Sequence, residues 1–563
     1  MNDRIIRITM NFVGVAAPFP GVPGVLPATP GVAPLEFSTH AHLVPNVPGD
    51  WRQANRYVDA RVIQPGLIEQ TMFGTGKLRG ASPVNAGAIV LNNADGELDE
   101  MLEYAYDGQL FYVDEVDPDT FATVQRLRLG FLEQPDYDEK TITFQCRDAA
   151  HALDVQLLDE KYAGTNALPA GIEGTPDDIG GTFKPSLVGT CFNVTPIQVN
   201  TSKKIYQIDG VRGLVSGYTL AVYDKRALVT EDSAGDYTDQ SDMETNNPTA
   251  GQYRVWPAGG CIRINFTPVG ALTCDVTNPA DHGGSGVAEV DHVLKTLHQG
   301  VLGSRGPEPS SGFALTGQLY DDKPNVGIYI DDTRTALQAY NEVLASVGGF
   351  ILTGDPLDGA YTSIQLNAAQ LYEPSAPFFT PQLSPILITE NEITEGTYPA
   401  LVPPGESDRG LPVWRVNVQY AKNWTVMTEN DLAGVAAAEV ARWTREYLTA
   451  SAEDASIKDD WPQALELTVT TLIVDEADAV AEAQRLLDLF GVPRQRFTLS
   501  VPAKVIQEDP QMGTSGRQPY QFQPGARITL QIPRFGLDAG KTFVVTEVRE
   551  NFEAGVIDLV IWG

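Results

Sequence analysis

Hydrophobic and polar positions alternate through much of residues 1–160, with the period of a β-strand that has one buried face. Arg126–Leu132 alternates in this way, and so does Thr141–Cys146. The turn residues Gln134–Asp136 separate these two segments, so we predict a hairpin. A polar turn over Asn92–Asp99 follows an apolar run. The pattern predicts a β-rich region over residues 1–160.

The second region, residues 161–290, shows the same alternation between Gly-rich turns. The pattern predicts strands at Ile205–Ile208, Tyr253–Trp256 and Cys261–Phe266. An acidic loop from Glu231 to Glu244 separates the first strand from the other two, and we expect it to be exposed and mobile. This region is therefore predicted to be a β-rich insertion.

Residues 291–384 change to a mixed pattern. Leu337, Tyr340 and Leu344 recur at the three-to-four spacing of a helix, so we predict a helix over Thr333–Val347 that ends at a glycine pair. Alternating strands follow. We interpret this region as a small α+β unit.

The last region, residues 385–563, begins with alternation over Val413–Tyr420. We then predict a helix over Glu429–Leu448 and another from the N-cap Asp475 to Gly491. Further alternating strands reach the end of the sequence. The whole chain is therefore predicted to be mainly β with α+β insertions, and to be multidomain.

The charge of the chain excludes one class of function. Its 73 Asp and Glu residues outnumber its 39 Lys and Arg residues, which gives a formal net charge of −34. Sequence-independent binding to nucleic-acid phosphates needs clustered basic residues, so this balance argues against it. An acidic wall would still let DNA slide past. The hydrophobic content of 42% is too high for a disordered acidic tail.

The most apolar stretch is interrupted by prolines. Phe12–Leu35 contains six of them, which a membrane-spanning helix does not tolerate, and it lacks the continuous apolar core of a signal peptide. We therefore expect no membrane segment and no export. The Pro-rich run is typical of an extended arm or loop.

The turn over Asn93–Gly96 has some features of a calcium loop. With glycine at the sixth position, the first and twelfth ligands would be Leu91 and Leu102, which cannot bind calcium. An EF-hand is excluded. We expect Asp95 and Asp99 to cap backbone N–H groups instead.

The histidines form two groups without the partners that a metal site needs. One is the pair His40 and His42, and the other is the trio His282, His292 and His298. Neither group has a carboxylate or cysteine at a metal-binding spacing, so we predict no metal site.

No catalytic or cofactor motif stands out. In Gly74–Gly80 the third glycine is one place too far for a dinucleotide site, and Thr or Ser does not follow the lysine as it does in a P-loop. Neither G-x-S-x-G nor H-E-x-x-H occurs. We predict no catalytic, cofactor-binding or metal-binding residues, no cofactor and no enzymatic activity.

The four cysteines are too few for a disulfide scaffold. We expect buried free thiols; the alternative is one bridge or a cluster shared with other chains. They are Cys146, Cys191, Cys261 and Cys274.

From about residue 85 onward, the chain contains a series of short motifs. In sequence order they are Leu91–Asp99, Tyr106–Gln109, Gly130–Leu132, Arg147–Leu153, Lys184–Pro196, Ile205–Ile208, Val418–Val426, Asp431–Gly434, Pro533–Leu537 and Val556–Gly563. In this order they resemble the central baseplate hub, or tail-tip hub, of long-tailed (siphovirus-like) phages, prophages and gene-transfer agents. The Pro-rich stretch at residues 18–34 has no counterpart in that family.

The resemblance implies a structural virion protein that closes the lower end of the tail tube as a homotrimer. Residues 1–160 and 385–563 would be tail-tube-like β-barrel domains, six per trimer in a pseudo-sixfold ring, with the domains at 161–290 and 291–384 inserted between them. The implied partners are a distal tail protein, a tape measure protein and other baseplate or tip proteins. The chain would be assembled in the host cytoplasm and carried at the tail tip.

The resemblance also implies a central channel through which DNA passes without sticking. Three copies would carry 3 × (−34) = −102 formal charges, and part of this charge could line the channel. Two alternatives stay open. A receptor-binding or polysaccharide-degrading spike predicts a repetitive β-helix period, which the sequence does not show. A distal-tail ring or adaptor protein predicts six copies instead of three.

Overall fold

The structure is a computed structural model of the 563-residue chain. It describes residues 5–13, 32–43, 57–66, 69–74, 77–280, 288–303, 323–353, 361–365, 386–395, 397–402, 411–433, 437–503, 522, 524–552 and 554–563. Most of the Pro-rich stretch lies outside these residues. The prediction of a mainly β, multidomain chain with helical insertions is confirmed.

The N-terminal region folds around an antiparallel sheet. Its strands are β1 Ile5–Val13, β2 Val32–Ser38, β3 His42–Leu43, β4 Tyr57–Val58, β5 Val62–Pro65, β6 Gln70–Thr71, β7 Ala86–Asn92, β8 Leu110–Val116, β9 Thr123–Leu132, β10 Asp136–Tyr137 and β11 Thr141–Arg147. Two 3₁₀ helices cover Asp99–Glu103 and Ala149–Leu153. The order in the main sheet is β2-β1-β8-β9-β11-β7-β5, and β10 pairs with β11.

The two edges of this sheet approach each other. A bridge between Phe37 of β2 and Asp59 joins one edge to the segment that leads into β5 at the other edge. The backbone N–H of Ser38 donates to the Asp59 carbonyl at 2.9 Å. Alternate residues of β1 and β8, such as Ile8 and Val113, are fully buried in the enclosed core. The sheet therefore curls toward a closed barrel.

The predicted hairpin is present in an interrupted form. Between β9 and β11 the paired residues are Leu132 with Cys146 and Phe131 with Arg147, whereas β11 pairs along its whole length with β7. The short strand β10 occupies the remaining place beside β11. β9 and β10 therefore lie antiparallel along one side of β11, as the hairpin predicts, with a break in the pairing between them, and β7 pairs with the other side of β11.

The inserted region consists of two facing sheets. Its strands are β12 Ser186–Val194, β13 Ile197–Asn200, β14 Ile205–Gln207, β15 Thr219–Asp224, β16 Ala227–Leu228, β17 Tyr253–Trp256, β18 Cys261–Ile264 and β19 Leu272–Asn278, with a short helix α1 Gln240–Thr245 and a 3₁₀ turn Pro257–Gly259. One sheet has the order β16-β15-β19-β12-β20, where β20 is Gly327–Ile330 from the next region. The other has the order β13-β14-β18-β17. Strands were predicted at β14, β17 and β18, and these predictions are confirmed.

The acidic loop between Glu231 and Glu244 is more ordered than expected. Tyr237 and Met243 are buried, and the Asp239 side chain caps α1 by accepting a hydrogen bond from the Asp242 N–H at 2.8 Å. The two buried residues anchor the loop, and its carboxylates stay near the surface apart from Asp232, which is buried.

The α+β region contains α2 Val290–Thr296, β20, α3 Ala336–Ala345, β21 Gly349–Thr353 and β22 Tyr361–Gln365. A π-helical turn over Leu297–Leu302 continues α2. The helix predicted at Thr333–Val347 is confirmed as α3, which begins at a capping box formed by Thr335 and Gln338. Strands β21 and β22 pair antiparallel.

The C-terminal region contains β23 Ile386–Ile388, β24 Ala400–Val402, β25 Val413–Tyr420, α4 Ala437–Trp443, β26 Leu448–Glu453, α5 Ile457–Asp460, β27 Leu465–Thr470, α6 Glu476–Phe490, β28 Arg496–Pro502, β29 Arg527–Leu530, β30 Lys541–Asn551 and β31 Val556–Trp562. One sheet has the order β23-β29-β30-β31-β28-β24, and a second has the order β26-β25-β27. Helix α6 packs on the second sheet.

Among the helices that the structure describes, none has both the length and the apolar character needed to cross a membrane.

The two helix predictions in this region have different outcomes. Helix α6 lies where the sequence predicted it, between the N-cap Asp475 and the C-cap Gly491. The helix predicted over Glu429–Leu448 is wrong in extent: a 3₁₀ turn covers Glu429–Asp431, α4 ends at Trp443, and Leu448 already pairs with β25. Sheet pairing overrides the helical propensity of this alanine-rich segment.

The N-terminal and C-terminal regions share structure. Strand β6 pairs with β30, with Thr71 opposite Glu547 and Gln70 opposite Val548. The largest core cluster contains Phe73 together with residues of α2, α3 and α6 and with Trp562. This core therefore crosses the boundaries that we predicted near residues 160, 290 and 385.

Candidate functional site

An arginine holds the polar turn that the sequence singled out. Arg61 donates two hydrogen bonds to Asp95, both at 2.9 Å, and also binds Asp59 at 2.6 Å and Glu97 at 2.9 Å. We call these four residues the turn clasp. The Arg61 side chain is 10% exposed, but the three carboxylates are 41 to 74% exposed. The clasp lowers the pKa of Asp95 to about 2, chiefly through its hydrogen bond with Arg61.

Of the two side-chain caps predicted in this turn, the one by Asp95 forms and the one by Asp99 does not. Asp95 accepts a hydrogen bond from the Glu97 N–H at 3.2 Å, so its cap is confirmed. The Asp99 carboxylate instead accepts from the side-chain amide of Asn93 at 2.9 Å, and Asn93 itself accepts from the Leu98 N–H at 2.8 Å. The turn is thus stabilised by its own side chains and by Arg61.

A second arginine lies where the inserted region meets the C-terminal region. Arg226 donates two hydrogen bonds to Asp275, both at 2.9 Å. Its guanidinium is 3.7 Å from the ring centroid of Tyr223 and 3.4 Å from that of Trp443, which belongs to α4. We call these four residues the junction cage. The Arg226 side chain is 4% exposed.

Hydrogen bonds extend the contact on both sides of the cage. Asn193 donates to the Asn423 side chain at 3.0 Å, and Asn423 donates to the Trp443 carbonyl at 2.9 Å. Next to Arg226, the Lys225 carbonyl accepts from the Ala433 N–H at 2.9 Å. Both regions therefore contribute backbone and side-chain groups to the junction.

Several residues at this junction have a left-handed backbone. Lys225 and Arg226 have φ values of 53° and 61°, and they form the two-residue turn between β15 and β16. Such a turn requires positive φ at both positions and normally uses Asn or Gly. Asn193 and Ala421 also have positive φ, at 56° and 49°. Non-glycine residues are strained in this conformation, so the junction contacts must offset that strain.

Sequence analysis missed both arginines. Neither belongs to a motif, and Asp275 and Trp443, the partners of Arg226, lie far from it in the sequence. The one available signal was the two-residue interval between Thr219–Asp224 and Ala227–Leu228, which is the length of a tight hairpin turn. The junction cage can fix the orientation of the inserted region relative to the C-terminal region.

The predicted histidine groups are not assembled in the part of the chain that the structure describes. His40 is exposed, whereas His42 is buried, bonds to the His40 carbonyl and stacks on Phe121. His298 is buried and bonds to the Tyr340 hydroxyl at 2.9 Å. His292 lies beside Glu289 and Asp291, and His282 is outside the described residues.

The four cysteines are buried and free, which confirms the prediction for the thiols. Burial raises the pKa of Cys146 to about 12 and raises those of the other three still further. All four therefore stay protonated near neutral pH. They pack in the interior as small apolar residues.

Comparisons with solved structures find similar chains. The tail protein from Neisseria meningitidis MC58 is 11% identical with a TM-score of 0.37, and the match covers 88% of this chain and 90% of that one. The 43 kDa tail protein of prophage MuSo2 from Shewanella oneidensis is 11% identical with a TM-score of 0.38, covering 89% and 94%. A chain of the native gene transfer agent particle is 14% identical with a TM-score of 0.35, covering 73% and 91%. No protein-family model and no curated protein matches this chain.

Proposed function

We propose that this chain is a structural hub protein of a phage-type tail tip, which forms a homotrimeric ring at the distal end of the tail tube. The observation that carries the proposal is the order of the motifs from Leu91 to Gly563. The solved chains described above are two tail proteins and a chain of a gene transfer agent particle. The proposed partners are a distal tail protein, a tape measure protein and other tip proteins.

The architecture supports this proposal. An antiparallel β-sheet lies in the first region of the chain and mixed β-sheets lie in the last, and β6 connects the two regions by pairing with β30. A trimer would bring three copies of each sheet together, which gives the six units of a pseudo-sixfold ring. Exposed sheet edges offer N–H and C=O groups with which a neighbouring subunit can pair.

The architecture argues against the spike alternative. A β-helix stacks parallel strands coil upon coil. Among the strand pairs that the structure describes, β23–β29 and β25–β27 are the parallel ones, and the other pairs are antiparallel. Sheets of this kind fit a scaffold better than an elongated, repetitive spike.

The copy number of the protein in the intact particle tests the proposal. Native mass spectrometry of the purified tail tip, combined with an image of particles that carry a tag on this chain, should give three copies at the distal end of the tube. Six copies would favour the distal-tail ring protein instead. A location on lateral fibres, or a monomer in the particle, would contradict the hub.

Passage of DNA through a channel is part of the same proposal. With a net charge of −34 per chain, an acidic inner wall would repel the DNA backbone and let it leave without sticking. A charge map of the assembled ring tests this point. An inner wall no more acidic than the outer wall would contradict it and would indicate that the charge serves solubility alone.

A further inference from the structure

Three potential metal ligands lie together where α2 begins. One ligand atom from each of Glu289, Asp291 and His292 lies within 4.8 Å of the other two. Nδ1 of His292 is 3.8 Å from Oε2 of Glu289 and 3.9 Å from Oδ1 of Asp291. These separations are too long for hydrogen bonds. An imidazole nitrogen combined with two carboxylate oxygens is a donor set that suits zinc.

Two of these atoms are buried without a hydrogen-bond partner among the described residues. They are Oδ1 of Asp291 and Nδ1 of His292. The two side chains are 12% and 24% exposed, but these two atoms are themselves buried. A buried polar atom without a partner is unfavourable, and a cation between the two would satisfy both.

The backbone around these residues is held in place from outside the helix. Glu289 forms a β-bridge with Asn325, and the Val290 N–H donates to the Pro324 carbonyl at 3.3 Å. Val290 is fully buried in the largest core cluster. The three side chains therefore project from a segment whose position is set by pairing and packing, which is the support that a metal site requires.

A lysine next to the cluster contacts one carboxylate oxygen of Asp291, and the other oxygen lies near His292. Lys323 Nζ is 3.7 Å from Oδ2 of Asp291, whereas Oδ1 of the same carboxylate faces His292. The ammonium partly neutralises Asp291, so it should weaken the affinity for a cation without blocking the site.

We propose that Glu289, Asp291 and His292 bind one zinc ion through Oε2, Oδ1 and Nδ1. Zinc bonds of about 2.1 Å in a tetrahedron place ligand atoms about 3.4 Å apart. The two separations from Nδ1 of His292, 3.8 Å and 3.9 Å, need to contract by a few tenths of an ångström, and the two carboxylate oxygens, which lie within 4.8 Å of each other, must reach the same spacing. Three protein ligands leave a fourth position for water or for a group from a neighbouring subunit.

Titration of the full-length, metal-stripped protein with zinc chloride tests the proposal by calorimetry. We expect one zinc ion per chain, and His292→Ala should weaken binding at least about tenfold. His40→Ala is the matched control, because His40 is exposed and far from the cluster in the sequence, and it should leave binding unchanged. Cobalt(II) bound in place of zinc should give visible absorption bands that His292→Ala abolishes.

Two further variants keep the test decisive if His292→Ala does not fold. Asp291→Asn preserves the shape of the side chain and should also weaken zinc binding, whereas Lys323→Met should strengthen it severalfold by removing the competing ammonium. The proposal is overturned if the wild-type protein does not bind zinc. It is also overturned if folded Asp291→Asn or His292→Ala protein binds zinc as tightly as the wild type.

Discussion

The turn clasp around Arg61 and the junction cage around Arg226 use the same chemical group in two different surroundings. Arg61 is surrounded by carboxylates that are 41 to 74% exposed, whereas the carboxylate that pairs with Arg226 is 20% exposed. Two aromatic rings also lie close to the Arg226 guanidinium, at 3.7 Å and 3.4 Å. Water screens the first set of charges and is largely excluded from the second.

The two arginines also differ in what they connect. The turn clasp joins residues 59–61 to residues 95–97 beside one sheet. The junction cage joins a hairpin of the inserted region to α4 of the C-terminal region. We therefore expect an ion pair to contribute more to stability when it is desolvated and links separate regions.

The largest effect is expected for Arg226→Ala. It leaves the partly buried Asp275 with the hydrogen bond from the Asn193 N–H but without its ion-pair partner, and it removes the contact with Trp443, so we expect a loss of about 3–5 kcal/mol in the free energy of unfolding. Urea denaturation should show it, and hydrogen exchange should increase around Asn193 and Asn423. Arg254→Ala is the control, because Arg254 packs on Tyr237 inside the inserted region. Equal effects of the two changes at the junction would contradict the linking role.

Trp443→Leu should have the next largest effect. Leucine keeps an apolar side chain at this buried position but removes the ring face that lies 3.4 Å from Arg226. A desolvated cation–π contact contributes about 2 kcal/mol, so we expect a loss of that order by urea denaturation. In the Arg226→Ala background, Trp443→Leu should lower the free energy of unfolding by less than it does in the wild type. Additive losses would show that the two residues do not interact.

Arg61→Ala should have a smaller effect that depends on salt. Because the partner carboxylates are largely exposed, we expect about a third or less of the loss seen for Arg226→Ala. The loss should shrink further at about 1 M NaCl, where charges are screened. Arg147→Ala, which removes a single ion pair with Glu133 in the same sheet, is the matched control. A loss as large as that at the junction, or one independent of salt, would remove the distinction between the two sites.

Acid should release the turn clasp in a defined range of pH. The pKa of Asp95 is lowered to about 2 in the folded chain, from an ordinary value near 4. A lowered carboxyl pKa stabilises the fold above the ordinary value, and this contribution is lost as pH falls from about 4 toward 2. The difference in melting temperature between wild type and Asp95→Asn should therefore narrow over that range. A constant difference would contradict the assignment.

The smallest effect is expected for Asp99→Ala. Asp99 accepts one hydrogen bond from the Asn93 side chain at a position open to water, so we expect a loss of about 1 kcal/mol or less. Glu100→Ala is the neighbouring control and should change little. Differential scanning calorimetry can compare the two. A loss much above that of Arg61→Ala would show that the turn depends on Asn93 and Asp99 more than on the clasp.

Local patterns in the sequence were sufficient for the elements whose determinants lie close together along the chain. Helix α6 begins after an N-cap and shows an apolar stripe, and α3 has its capping box at Thr335 and Gln338. The strands around Tyr253 and Cys261 follow simple alternation. The Asp95 cap is equally local. In each case the pattern that predicts the element lies within a short segment, although α6 also packs on β25 and β26 and β18 also pairs with β14.

Only the tertiary structure decided which strands pair and which charges meet. Strand β11 pairs with β7 over its full length, β6 joins a sheet formed mostly by strands of the C-terminal region, and the segment predicted as a helix up to Leu448 ends in a strand beside β25. Arg226 likewise lies between Tyr223 and Trp443 because two distant regions come together. The physical reason is that burial and desolvation arise from neighbours brought close by the whole fold, and residue spacing along one sequence does not record them.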